Sequence, residues 1–179
     1  MEVGRHNMLG KKIQLRALEL KDVSNFHTWE NEADAMEHSG YLQPLSAYTA
    51  ERFIEHANRP IEETGQLRLM IETLNGQAVG LMDIFEIDFI HRTAGLGVLI
   101  AREFRQQGLG TEAIGLMCHH AFTRLNLELV YADIRADHTA SLKAFSNAGF
   151  NLSVSLPAWR LYEGRRVDVI RKIRLFSES

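Results

Sequence analysis

The 179-residue sequence has a single cysteine, Cys118. One thiol excludes an intrachain disulfide framework and a cysteine-based zinc site. Cys118 lies beside His119 and His120 in a stretch of helical spacing, and reads as a half-buried small residue rather than a nucleophile. No apolar run approaches the roughly 18 residues that a membrane span needs. Residues 1–12 carry charge but no apolar centre, so they do not read as a secretory signal. These absences point to a cytoplasmic protein without a membrane partner. Charge of one sign is also scarce. Twenty Lys and Arg stand against 23 Asp and Glu, a net charge of −3, and the pI is near 6.2. That excludes a nucleic-acid partner held by bulk electrostatics. No internal repeat or low-complexity segment is present.

What remains is ordinary for a soluble globular chain: 45% apolar and 24% charged residues, with enough length for one sizeable core. The expected organisation is an N-terminal tail over 1–10 and a single domain over 11–179. Ile13 to Leu18 alternates apolar and polar and reads as a strand. A helix follows, carrying Val23, Phe26, His27, Trp29 and Glu30. The stretch 31–46 reads as a loop or a broken helical turn. Its acids, with Glu30, are Glu32, Asp34 and Glu37; they either face a cationic ligand or form a solvated face. A second helix spans 47–58 and ends before Pro60. Leu67 to Glu72 and Ala78 to Ile87 are strands joined by Asn75-Gly76, a two-residue hairpin signal. Ala94 to Ile100 is the next strand, antiparallel to the last. A helix covers 111–125, a strand 128–135, and a short helix 139–147 with Gly149 as its C′ residue. Segments 151–156, 159–162 and 167–175 are strand-like. The fold class is α/β, a mixed sheet with helices packed on its faces.

The chain is organised around one turn, Arg105-Gln106-Gln107-Gly108-Leu109-Gly110, set between a strand and a helix. The first N–H groups of a helix have no partner inside it, and the helix dipole is positive there. Such a place binds phosphate. Gly108 and Gly110 let the backbone approach an anion, and Arg105 adds a charge. A dinucleotide fingerprint or P-loop fails on residues: the third glycine and a closing Gly-Lys-Ser/Thr are both missing.

The strand, the R-x-x-G-x-G turn, the helix, and the later strand, short helix and Ala148-Gly149-Phe150 together resemble the GNAT superfamily of N-acetyltransferases. The stretches Glu86-Ile87-Asp88-Phe89-Ile90-His91-Arg92 and Phe122 to Leu127 are most similar to its polyamine and ribosomal-protein N-terminal acetylase branch. The resemblance covers about residues 11–176. It implies a mostly antiparallel sheet with one splayed parallel strand pair, and acetyl-CoA as cosubstrate. Arg105, Gln106, Gln107, Gly108, Leu109, Gly110 and Thr111 fall in the pyrophosphate loop. Val98, Leu99 and Ile100 fall on the strand that pairs with the pantetheine arm. His138, Ser141 and Phe145 fall in the helix that contacts the arm. Two positions depart from the family: His138 replaces an asparagine, and Phe145 replaces the tyrosine taken to protonate the departing thiolate.

The implied reaction is direct attack of a primary amine on the thioester. It needs a base or water chain for the ammonium proton and a donor for the oxyanion, expected from backbone N–H groups near Leu99. Glu86 is the favoured base. It lies three residues from Asp83, so in a regular strand only one of the two faces the site unless a bulge intervenes. His91 is a weaker base candidate. Tyr131 substitutes for the missing acid if it faces the cleft; otherwise the thiolate leaves unassisted, as a thiol of pKa near 8.5 permits. Glu30, Glu37, Asp83 and Glu86 are candidate acceptor-binding groups. Trp29, Tyr41 and Tyr48 line a pocket or belong to the core, with core preferred for Trp29. The family likeness implies a polyamine such as spermidine as acceptor and a homo-oligomer. A protein N-terminus, an amino acid, an aminoglycoside-like amine, and an acyl-CoA-binding regulatory domain of reduced activity are the alternatives.

Overall fold

A computed structural model describes residues 8–32, 35–36 and 43–177. The elements are β1 (Ile13–Ala17), a 3-10 turn (Leu20–Asp22), α1 (Val23–Glu30), α2 (Ala47–Ala57), α3 (Ile61–Thr64), β2 (Leu67–Thr73), β3 (Ala78–Asp88), β4 (Thr93–Ile100), α4 (Leu109–Thr123), β5 (Leu129–Arg135), α5 (Thr139–Asn147), β6 (Leu152–Tyr162) and β7 (Arg165–Leu175). The strands form one seven-stranded sheet in the order β1-β2-β3-β4-β5-β7-β6. Every neighbouring pair is antiparallel except β4 and β5. A parallel pair needs a crossover connection, and α4 supplies it. Among the described residues no helix is long and apolar enough to cross a membrane.

Alternation along the strands builds two cores. Leu69, Ile71, Met82, Ile84, Ala94 and Leu96 point to one face, where α4 and α5 cover them. Met70 and Leu81 point to the other, under Phe26 and Trp29 of α1 and Ala50 and Ile54 of α2. Ser46 starts α2 by accepting the Thr49 N–H at 3.0 Å. Asn58 ends it, donating its side-chain amide to the Ile54 and Leu18 carbonyls.

The structure differs from the sequence reading in several places. The β2–β3 hairpin has a three-residue loop, not a two-residue one. The Thr73 N–H meets the Gln77 carbonyl across Leu74-Asn75-Gly76, with Gly76 at φ +88°. This is the turn followed by a left-handed residue that three-residue hairpins use. Pro60 both precludes continuation of α2 and opens α3, which Gly65 closes at φ +64°. That one-turn helix has no apolar repeat to announce it. β6 is one strand, irregular between Leu156 and Arg160, rather than two. Cys118 is fully buried rather than half-buried, and burial pushes its thiol up to about 11.

An ion cluster ties β1 to the first turn. Arg16 donates to both oxygens of Asp22 at 2.7 and 2.9 Å, and to Glu72 at 2.7 Å. Burial pushes the Asp22 carboxyl up, but the Arg16 guanidinium and the Glu19 N–H outweigh it, so the group titrates below its usual range. Removing one partner of a buried charge pair costs about 3 kcal/mol or more. Asp22→Ala should therefore lower the unfolding free energy by about 3 kcal/mol in urea at pH 7. The depressed pKa stabilises the fold above the ordinary carboxylate range. The penalty should accordingly shrink as pH falls through that range.

Candidate active site

β4 and β5 pair only at Thr93–Leu129, Ala94–Val130 and Gly95–Tyr131. Beyond Gly95 and Tyr131 the strands part, and the next five residues of β4 have no partner on β5. On its other side β4 stays paired with β3 as far as Ile100. The Ala101 N–H donates to the Val79 carbonyl at 2.9 Å, so Gly80 and Ile100 form a non-hydrogen-bonded pair. Antiparallel ladders alternate. The Leu99 main chain is therefore spent on β3, while the main-chain groups of Val98 and Ile100 point into the gap. Of the backbone N–H groups near Leu99, those of Val98 and Ile100 are the ones that face the gap. The Ile100 carbonyl accepts from Arg105 Nε at 3.0 Å.

At the open end of the gap the turn before α4 takes the shape that anion binding needs. Gln106 has φ +63° and Gly108, the N-cap, φ +79°. The first helical bond runs from the Glu112 N–H to the Gly108 carbonyl. The N–H groups of Leu109, Gly110 and Thr111 thus have no acceptor within α4. A Cβ at Gly110 would stand 3.4 Å from Ile100 Cγ1, so this end of α4 lies against the end of β4. Arg105 lies alongside, its guanidinium 3.8 Å from Glu32. A second cation was not legible in the sequence: Lys12, at the start of β1, donates through Nζ to the Gln107 carbonyl at 3.0 Å. Glu112 holds it there by accepting the Lys11 and Lys12 N–H groups. An apolar-periodicity reading gives no signal for a contact 95 residues apart in the chain.

At the closed end Glu86 and Tyr131 meet. The pairing of β3 with β4 shifts between Phe85 and Asp88, and Glu86 sits at φ +50°. This is a bulge, which re-aims a side chain. It turns Glu86 toward β5, where the Tyr131 hydroxyl donates to Glu86 Oε2. The bond joins β3 to β5 across the intervening strand β4. Burial, and then the Glu86 carboxylate, push the Tyr131 hydroxyl up to about 12. Tyr131 therefore keeps its proton at neutral pH. Arg171 stacks 4.4 Å from the Tyr131 ring centre and donates to both oxygens of Asp133 at 2.7 and 2.9 Å.

Asp83 lies on the same face of the sheet, directly across from Gly97. Both of its oxygens accept from Arg68, and Arg68 also donates to Glu30 Oε1 at 3.1 Å. The guanidinium is packed 4.9 Å from the Phe53 ring centre. Two carboxylates thus share one guanidinium. Glu30 is 4% exposed, and its Oε2 has no hydrogen-bond partner. Burial raises the Glu30 carboxyl above its usual range, partly opposed by Arg68.

His138 caps α5: its Nδ1 accepts the Ser141 N–H at 3.1 Å. A ring nitrogen that accepts cannot carry the proton, so the neutral ring holds it on Nε2. Phe145 is 2% exposed, edge-on to Phe150 at 5.0 Å, within the core. His91 is exposed and bonded to Asp88. Trp29 is core and Tyr48 is exposed. Asp34, Glu37 and Tyr41 lie outside the described residues. Among the described residues no group of three His, Cys, Asp or Glu is placed to hold a metal.

The profile of the acetyltransferase (GNAT) domain family matches residues 12–151. The chain is 26% identical over 170 residues to a spermidine N(1)-acetyltransferase of Vibrio cholerae, covering 95% of this chain and 96% of that protein. It is 26% identical over 159 residues to the Escherichia coli K12 spermidine N(1)-acetyltransferase, covering 89% and 83%. A crystal structure of the spermidine N-acetyltransferase from Vibrio cholerae in complex with CoA and spermine superposes with a TM-score of 0.80, at 26% identity, over 91% of this chain and 95% of that one.

The buried Glu30 carboxyl, with only one oxygen hydrogen-bonded, has a pH-dependent consequence. A carboxyl whose pKa is raised in the fold binds protons more readily folded than unfolded, so its ionisation lowers stability as pH rises above the ordinary range. Glu30→Gln removes that dependence. The melting temperature of Glu30→Gln relative to the wild type should rise between pH 4 and pH 8 in thermal scans.

Proposed function

The chain belongs to the GNAT acetyltransferase family, and on that premise we propose that it moves the acetyl group of acetyl-CoA to a primary amine of a linear polyamine, with spermidine as the leading candidate. The N-acetyltransferase class and the cosubstrate follow from the family. The acceptor rests on two supports. One is the carboxylates on one face of the sheet beside the gap: Glu86 at its closed end, and Asp83, which shares Arg68 with the buried Glu30. Ammonium groups pair with such carboxylates. The other is the naming of the relatives as spermidine acetyltransferases. The observation that carries the reading is the gap itself, open at a phosphate-ready helix start and closed at Glu86–Tyr131.

The residues divide the work. The N–H groups of Leu109, Gly110 and Thr111, with Arg105 and Lys12, hold the pyrophosphate. Val98 and Ile100 pair with the pantetheine arm, and a Val98 or Ile100 N–H donates to the thioester oxygen as it gains charge. His138 Nε2–H and Ser141 face the arm; Phe145 supports that helix from the core. Acetyl-CoA supplies the electrophilic carbonyl carbon. Glu86 takes the proton of the arriving ammonium. The amine nitrogen bonds the acyl carbon, the C–S bond breaks, sulfur leaves with the electron pair, and the nitrogen's second proton passes through solvent to the thiolate. A thiol of pKa near 8.5 leaves as thiolate without an enzymic acid, so Phe145 is no obstacle. Tyr131 orients Glu86 by its hydrogen bond rather than replacing the family's tyrosine. The site is cytoplasmic in this reading, where acetyl-CoA and polyamines meet.

CoA-thiol release from acetyl-CoA tests this on spermidine, spermine, amino acids and short peptides. Turnover on the polyamines is expected. Turnover on peptides alone would overturn the acceptor and favour N-terminal acetylation. Acetyl-CoA binding without turnover on any amine would favour a binding domain. Glu86→Gln should lower kcat by about 10²–10⁴. Tyr131→Phe should cost only about tenfold, the worth of one hydrogen bond to a charged group.

A further inference from the structure

β4 carries Gly95-Leu96-Gly97, two glycines on one face of a strand where β-propensity disfavours them. The reason lies on β3. Phe85 is opposite Gly95 in the ladder, and Asp83 is opposite Gly97. A Cβ at Gly95 would fall 2.5 Å from Phe85 Cε2, and one at Gly97 3.6 Å from Phe85 Cε1. The ring therefore lies across the β4 backbone in space that other residues would fill. Phe85 is half-buried and belongs to neither apolar core. It covers the last paired residue of β4, where the gap closes, beside the Glu86–Tyr131 bond.

We propose that Phe85 sets the length of the acyl group that this enzyme accepts. The reasoning rests on the family's use of acetyl-CoA and is independent of the acceptor. The phosphates bind at the open end of the gap, so the arm runs toward Gly95 and the acyl group points to the closed end. There the face carrying α4 is filled by Ala94, Leu96 and Val130. The opposite face is the other way out, and the Phe85 ring stands across it. An acetyl methyl ends short of the ring, and each further methylene runs into it. A rigid pocket rejects an extra methylene by about tenfold or more.

Binding constants of acetyl-CoA, butyryl-CoA and CoA, measured by calorimetry without any acceptor, test this directly. The wild type should bind acetyl-CoA at least about tenfold more tightly than butyryl-CoA. Phe85→Ala should bring that ratio near unity while leaving CoA affinity unchanged, and Phe85→Leu should fall between. Equal wild-type affinities for the two acyl-CoAs would overturn the proposal. So would an unchanged ratio in either variant that still binds CoA. Because no amine is present, failure here is separate from failure of the polyamine reading.

Discussion

The structure depends on where two parallel strands stop pairing. β4 is held to β3 along its whole length but to β5 at only three positions. Unpaired main-chain groups inside a sheet cost free energy unless something bonds them. Here the cost falls on the Val98 main chain and the Ile100 N–H, since the Ile100 carbonyl already accepts from Arg105, and the proposed function gives them an extended amide-bearing arm as partner. The same parting places α4, the obligatory crossover between parallel strands, with its N-terminus at the mouth of the gap. In the proposed function this one topological feature supplies both an extended docking edge and an anion site, and the chemistry follows from having them in line.

The closed end of the gap is built from compensating irregularities. Glu86 occupies a left-handed conformation that a non-glycine residue adopts at a cost of order 1–3 kcal/mol. The gain is a carboxylate turned across the sheet, which a regular strand of the same sequence would point away. Gly95 has no side chain where the Phe85 ring needs the room. Phe145 belongs to the core beside Phe150. Its lack of a hydroxyl is consistent with a leaving group that needs no acid.

Much of this was legible in the sequence because it is local. The alternation in Leu67 to Glu72, the spacing of Ala113, Ile114, Met117 and Ala121, and the Gly149 C′ all report neighbours a few residues away. The R-x-x-G-x-G turn, with its left-handed Gly108, is readable from one hexapeptide. The rest depends on pairings between distant segments. Lys12 reaches the turn before α4 only because Glu112 binds the backbone just ahead of β1. Arg68 joins Glu30 to Asp83 only after a helix and two strands have packed. The bulge at Glu86 follows from the register of β3 against β4, which no periodicity encodes. The sequence left Asp83 and Glu86 as competitors for one face unless a bulge intervened; with the bulge, both face the same side.

Hydrogen exchange at single-residue resolution tests the central claim, that the parted edge of β4 is the docking edge for acetyl-CoA. The Val98 and Ile100 amides should exchange quickly in the free protein and become protected on adding acetyl-CoA. The Leu99 amide, already bonded to β3, should be slow in both states. Protection confined to the turn at 105–111, with Val98 and Ile100 unchanged, would contradict the account.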